Sequence, residues 1–193
     1  STGIISNTNT GTYAAIMNTG TVNKTGSGTV SAKCSSSSSV ATIYGGNLKI
    51  TAGTVSATTG TAVRVSGTFE ITGGTVSTTG AMGVYCNGSS ASVSGSSTKI
   101  QKSGTSGGSC FQYNGTGTAT ISGGTISVGT DSGSNAVYNG GAGTIKITGG
   151  TIEQKGTGHT ITNSTTGTLE VTGGIITSAG NSGIINSSTG TIK

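Results

Sequence analysis

Few residues in this chain could do covalent or metal chemistry: the carboxylates Glu70, Asp131, Glu153 and Glu170, one imidazole, His159, and three thiols, Cys34, Cys86 and Cys110. Glycoside hydrolysis needs two carboxylates roughly 5 to 10 Å apart. Calcium needs a cage of hard oxygen ligands, and Asp131 stands alone without a Gly-rich acidic nonapeptide around it. A lyase would need an acidic metal cluster beside a basic group, and Arg64 has only Glu70 in its vicinity. His159 sits next to Thr160 with no Ser or Cys nucleophile beside it, which reads as a solvated loop histidine. Three cysteines cannot all pair within one chain, and their spacing matches no metal-ligand pattern, so they read as small buried thiols.

The elements that carry these residues repeat. Thr144-Ile145-Lys146-Ile147-Thr148-Gly149-Gly150-Thr151-Ile152 returns as residues 47–55, 68–76 and 168–176, with looser copies from Thr21, Ser90 and Thr118 and an unfinished one from Thr191. Starts near 21, 47, 68, 90, 118, 144, 168 and 191 give a period of roughly 21 to 28 residues, within the range of solenoid repeats. Each copy opens with an alternating strand, such as Phe69 and Ile71 around Glu70. A Gly-Gly or Ala-Gly corner follows, then a second strand whose inward residue is Val55, Val76, Ile126 or Ile152. A Ser/Gly/Thr-rich segment of variable length with nothing to bury reads as an outward loop. Ile43-Tyr44, Val63-Arg64, Val84-Tyr85, Phe111-Gln112, Val137-Tyr138, Ile161-Thr162 and Ile184-Ile185 supply a third strand. Three short strands and three corners per repeat predict an all-β chain, a single parallel β-helix (β-solenoid) over residues 1–193 with seven to eight coils.

Stacked coils turn equivalent positions into rows, and each row carries an expectation. The outward row of the first strand reads Lys49, Glu70, Ser92, Thr120, Lys146, Glu170, Lys193, placing unlike charges one coil apart. Glu70 and Glu170 fall about four coils, nearly 20 Å, apart in that row, and Glu153 lies on a different strand from Glu170, so no matched acid pair forms and no catalysis is expected. Asn87, Asn114, Asn139, Asn163 and Asn186 follow the third strand and are expected to form a structural ladder at a corner that Asn can enter in the left-handed conformation. Tyr44, Tyr85 and Tyr138 take the outward position of the third strand, a candidate platform for surface glycans in a row interrupted by Arg64, Gln112 and Thr162. Thr29/Ser31, Thr54/Ser56, Thr75/Ser77 and Thr125/Ser127 form a hydroxyl lattice of the kind that suits ice binding, with Lys99, Ile100, Glu153 and Ile175 as intruders.

The unit T-Φ-x-Φ-T-G-G-T-Φ-S, Φ being apolar, followed by a loop and V-Y-x-N, resembles the tandem right-handed parallel β-helix repeats of large bacterial cell-surface proteins, common in Gram-positive anaerobes. The resemblance covers nearly the whole chain and implies right-handed winding, an extracellular or cell-surface location, and a role as adhesin, stalk or filament.

Composition narrows the partners. Charged residues are 7% and the net charge of +5 is spread without a basic stripe, which argues against nucleic acid. No apolar run approaches the roughly 20 residues of a membrane-spanning helix. The absence of proline fits unbroken ladders. No cofactor is implied. The chain opens at Ser1 without a signal peptide, as a mature secreted product or an excised piece would. Gly3-Ile4-Ile5 matches Gly183-Ile184-Ile185 and so reads as a third strand, while Thr191-Ile192-Lys193 stops inside a first strand. Both ends are uncapped, and the expected partner is a second copy of the chain in a head-to-tail homopolymer, or the rest of a longer adhesin stalk.

Overall fold

The computed structural model describes the chain except for residues 1, 2, 10, 12, 35–39, 131 and 132; Asp131 therefore lies outside the described residues. All regular structure among the described residues is β-strand, nineteen strands joined by parallel pairing into stacked coils. The coils make a β-solenoid of about seven turns.

Alternation explains each strand. In Thr68–Ile71 the burial pattern puts Phe69 and Ile71 inside and leaves Thr68 and Glu70 outside. Leu48, Phe69, Ala91, Ala119, Ile145 and Leu169 stack in register as one inward column. Val30, Val55, Val76, Ile100, Ile126 and Ile152 form the column of the second strand. Ile43, Val63, Val84, Phe111, Val137 and Ile161 form that of the third. Each fully buried aliphatic side chain contributes about 1.5 to 3 kcal/mol, and no coil can bury its own column without a neighbour above and below. The widest side chains lie in the middle coils, where Phe69 and Phe111 pack with ring centroids 6.4 Å apart and Tyr113 is fully buried.

The corner between first and second strands is set by glycine. Gly53, Gly74, Gly95, Gly124, Gly150 and Gly174 all take φ between 76° and 92°, a region that costs an L-residue with a side chain but not glycine. No described non-glycine residue has positive φ.

Two expectations about register are corrected by the pairing. Ile4–Asn7 pairs with Thr29–Ala32, so Gly3-Ile4-Ile5 leads into a second strand, and the third strand of that coil is residues 16–18, opposite Ile43 to Gly45. Gly-Ile-Ile fits both strands, since Ser6-Asn7 follows it near one end and Asn186-Ser187 near the other, and only the pairing with Thr29–Ala32 decides. Ile100 is not an intruder in the hydroxyl lattice. It is fully buried in the inward column, and Lys99 and Gln101 are the residues that interrupt the Thr and Ser rows.

Candidate functional site

The three described carboxylates are each held by a lysine. Lys49 reaches Glu70 at 2.9 Å and Lys146 reaches Glu170 at 2.7 Å, each one coil apart in the outward row, and Lys155 meets Glu153 at 3.1 Å. Ser92, Thr120 and Lys146 separate Glu70 from Glu170, four coils or about 19 Å. Among the described residues no group of three His, Cys, Asp or Glu side chains could hold a metal ion. His159 is half-buried, and its Nδ1 is enclosed without a hydrogen-bond partner; the loop covers it more than a solvated loop histidine would be covered.

All three thiols are buried and unpaired. Burial raises each above its usual value, and the fully enclosed Cys110 is pushed up to about 12, because a thiolate there would lose its solvation.

On the third strand the outward row reads Met17, Tyr44, Arg64, Tyr85, Gln112, Tyr138, Thr162, Ile185. The Arg64 guanidinium lies over Tyr85 at 4.5 Å and over Tyr44 at 5.8 Å from the ring centroids, a cation–π sandwich. The phenol oxygens are also engaged, since Asn114 Nδ2 donates to Tyr85 Oη at 2.9 Å and Ser164 Oγ to Tyr138 Oη at 2.6 Å. Tyr44, Tyr85 and Tyr138 thus share one face but stand two coils apart, each tied to its neighbours.

The five asparagines divide into two rows. Asn139, Asn163 and Asn186 occupy the inward position that Val65, Cys86 and Tyr113 fill in lower coils. Asn139 Nδ2 donates to Asn163 Oδ1 at 2.9 Å, and Asn163 Nδ2 to Asn186 Oδ1 at 3.0 Å. Each amide also donates across its own corner, to Gly143, Gly167 and Gly190 carbonyls respectively. Asn87 and Asn114 sit one residue further on, outside this ladder. Their backbone N–H groups donate to Val65 and Cys86 carbonyls. The extended backbone turns Asn139, Asn163 and Asn186 inward, and none of the five asparagines enters the left-handed region that the sequence suggested.

Sequence reasoning missed Lys102. Its alternation with Ile100 places it inward at the end of the second strand, in the row of Ala57, Thr78, Val128 and Gln154. It is 1% exposed, and its Nζ donates to the Ser106 carbonyl at 2.6 Å and to that of Gly104 at 3.3 Å. Thr78 Oγ1 likewise donates to Gly60 O at 2.9 Å, and Gln154 Nε2 to Ser134 O. Polar inward residues at this one position therefore tie the variable loops to the rod. Outside them, Ser56, Ser77, Gln101, Ser127 and Lys155 help line a groove of about 500 Å³.

At both end faces the strands are paired on one side only. One face presents Ile4–Asn7, residues 16–18 and residues 21–24; the other presents residues 175–178, Ile184–Asn186 and Thr191–Ile192. Ile4, Ile5, Tyr13 and Met17 are exposed at the first end and Ile175, Ile184 and Ile192 at the second; Tyr44 is the one large exposed apolar residue described between them.

In the comparisons with known proteins, no family model, no curated protein and no solved structure matches this chain.

Proposed function

We propose that this chain is a non-catalytic structural rod, an extracellular β-solenoid whose coils continue end-on into those of another copy to build a fibre or surface filament. The observation that carries this reading is the concentration of unpaired strand edges and exposed large apolar side chains on the two end faces. An unprotected edge is a template for another strand, and a head-to-tail contact that does not close on itself gives an open filament. The extracellular location rests on the resemblance of the repeats to those of cell-surface proteins. The side of the rod suits the role. Its exposed ion pairs contribute well under about 1 kcal/mol each but oppose slippage by a coil.

Seven coils at about 4.8 Å each give a rod unit of roughly 34 Å along the axis. Sedimentation velocity and negative-stain electron microscopy over a range of concentrations test the proposal. Rods whose lengths grow with concentration in steps of that unit are expected; uniform monomers at the highest attainable concentration would refute it.

A further inference from the structure

Four strand rows can be followed from one end face to the other, and their terminal members are matched. The outward row of the second strand reads Ile4, Thr29, Thr54, Thr75, Lys99, Thr125, Thr151, Ile175. Inside the rod it is polar, and at both ends it becomes isoleucine, 74% exposed at Ile4 and 60% at Ile175. The outward row of the third strand also ends in aliphatic side chains. Its interior members are Tyr44, Arg64, Tyr85, Gln112, Tyr138 and Thr162, each with a polar group, and its ends are Met17, 73% exposed, and Ile185. An outward apolar side chain on a lone surface position gains little, whereas two such side chains one coil apart shield each other.

The remaining two rows point the same way. The asparagine ladder climbs through Asn139 and Asn163 to Asn186 at one face, and the same inward position at the other face is again asparagine, Asn18. Asn186 Nδ2 donates to Gly190 O at 2.7 Å, and an amide nitrogen carries a second hydrogen for the next rung. In the outward row of the first strand, Lys193 follows Glu170 at one end and the neutral Asn23 precedes Lys49 at the other. The charge sequence across a joint would be Glu170, Lys193, Asn23, Lys49, with no like charges on adjacent coils. Beneath Ile5 the first face also holds a cavity of about 320 Å³ lined by Ile4, Ile5, Val30 and Lys24, into which the inward Ile176 of a preceding copy would pack.

We infer that the joint between copies has a single register, in which Ile175 of one copy lies over Ile4 of the next, Ile185 over Met17, Asn186 over Asn18 and Lys193 over Asn23. This rests on the end-on reading above and specifies its contact. The joint is a parallel β-ladder on all three sides of the rod, of the kind that joins coils within the chain. Its aliphatic edges set it apart from the interior coils, whose corresponding second-strand surface is Thr and Lys and whose third-strand surface mixes Tyr with Arg, Gln and Thr.

Cysteine cross-linking tests the register. Met17→Cys and Ile185→Cys in one chain would stand one coil apart across the joint, within the roughly 4.4 to 6.8 Å between Cα atoms that a disulfide spans. The native thiols are buried and do not compete. Mild oxidation of this double variant should give a ladder of covalent dimers, trimers and higher species on non-reducing gels, and the wild type should give none. Met17→Cys alone and Ile185→Cys alone should each remain uncross-linked, because neither residue meets its own copy. Dimers from a single variant would show head-to-head or tail-to-tail contact and overturn the inference. Filaments by microscopy with a ladder from Met17→Cys paired with Asn186→Cys, and none from the predicted pair, would overturn the register while leaving the rod reading intact. Monomers with no ladder from any pair would overturn both.

Discussion

Asn163 offers the sharpest test of how the rod is held together. Its side chain is fully buried and makes three hydrogen bonds: it donates to Asn186 Oδ1 and Gly167 O and accepts from Asn139 Nδ2. A buried hydrogen bond contributes about 1 kcal/mol net, and an orphaned buried partner costs about 1 to 3 kcal/mol. Asn163→Val should therefore destabilise the protein by about 3 kcal/mol, from three lost bonds at about 1 kcal/mol each, because the Asn139 amide keeps its bond to Gly143 O and the Gly167 carbonyl keeps the one from Thr191 N–H. Valine itself is tolerated at this position, because Val65 occupies it three coils below Asn139. Replacing Asn139, Asn163 and Asn186 together by valine should cost less than the three single changes summed. Taken singly the substitutions remove seven bonds, because each of the two ladder bonds is lost twice; taken together they remove five. At about 1 kcal/mol per bond the triple variant should be roughly 2 kcal/mol better than additive, and more where orphaned donors vanish with their partners. Urea unfolding midpoints at constant slope give the required free energies. A triple variant as unstable as the sum, or worse, would refute the idea that the ladder acts as a coupled unit.

Three further outcomes follow from the core. Cys110 holds its proton to about pH 12 in the fold against a usual value of 9.0, so the unfolded chain loses a proton first as pH rises; stability is complete below about pH 9 and should fall progressively between pH 9 and 12, which thermal unfolding at stepped pH measures, while a thiol reagent at pH 8 should label no cysteine until denaturant is added. Lys102→Met should retain the solenoid but free the loop that carries the Gly104 and Ser106 carbonyls, seen as faster amide exchange and proteolytic nicking confined to residues 103–108; protection unchanged from wild type would show that the ammonium does not hold the loop.

What could be read from the sequence follows physical redundancy. The inward columns were legible because alternation, glycine corners and aliphatic residues all agree at Leu48, Phe69, Ile145 and their neighbours. The charge row was legible because Lys49, Glu70, Lys146 and Glu170 each sit between two inward residues. Gly3-Ile4-Ile5 was misplaced because three residues of degenerate pattern fit two strands, and only their partners decide. The asparagines were merged into one row although Val84-Tyr85-Cys86-Asn87 and Val137-Tyr138-Asn139 differ by one residue between outward tyrosine and asparagine; a one-residue offset moves a side chain from inside to outside. Lys102 was overlooked because charge suggests a surface, whereas Lys99-Ile100-Gln101-Lys102 alternates in a way that puts the second lysine inward. Sequence says little about Arg64 between its tyrosines, because cross-coil neighbours are 20 or more residues away and loop length varies between them.

The uneven thickness of the core also has a kinetic side. Phe69, Phe111 and Tyr113 put the bulk of the aromatic packing in the middle coils, while the outer coils rest on half-covered Val22, Val171 and Ile176. In a one-dimensional array, structure nucleates where neighbour contacts are strongest and spreads outward. The middle should then form first and exchange its amides last, with the two end coils opening and closing many times before the rod unfolds. A growing fibre would capture those breathing ends and convert the most labile coils of each subunit into interior ones. Elongation would in that case be the final folding step of the chain, and a preformed rod end would be its template.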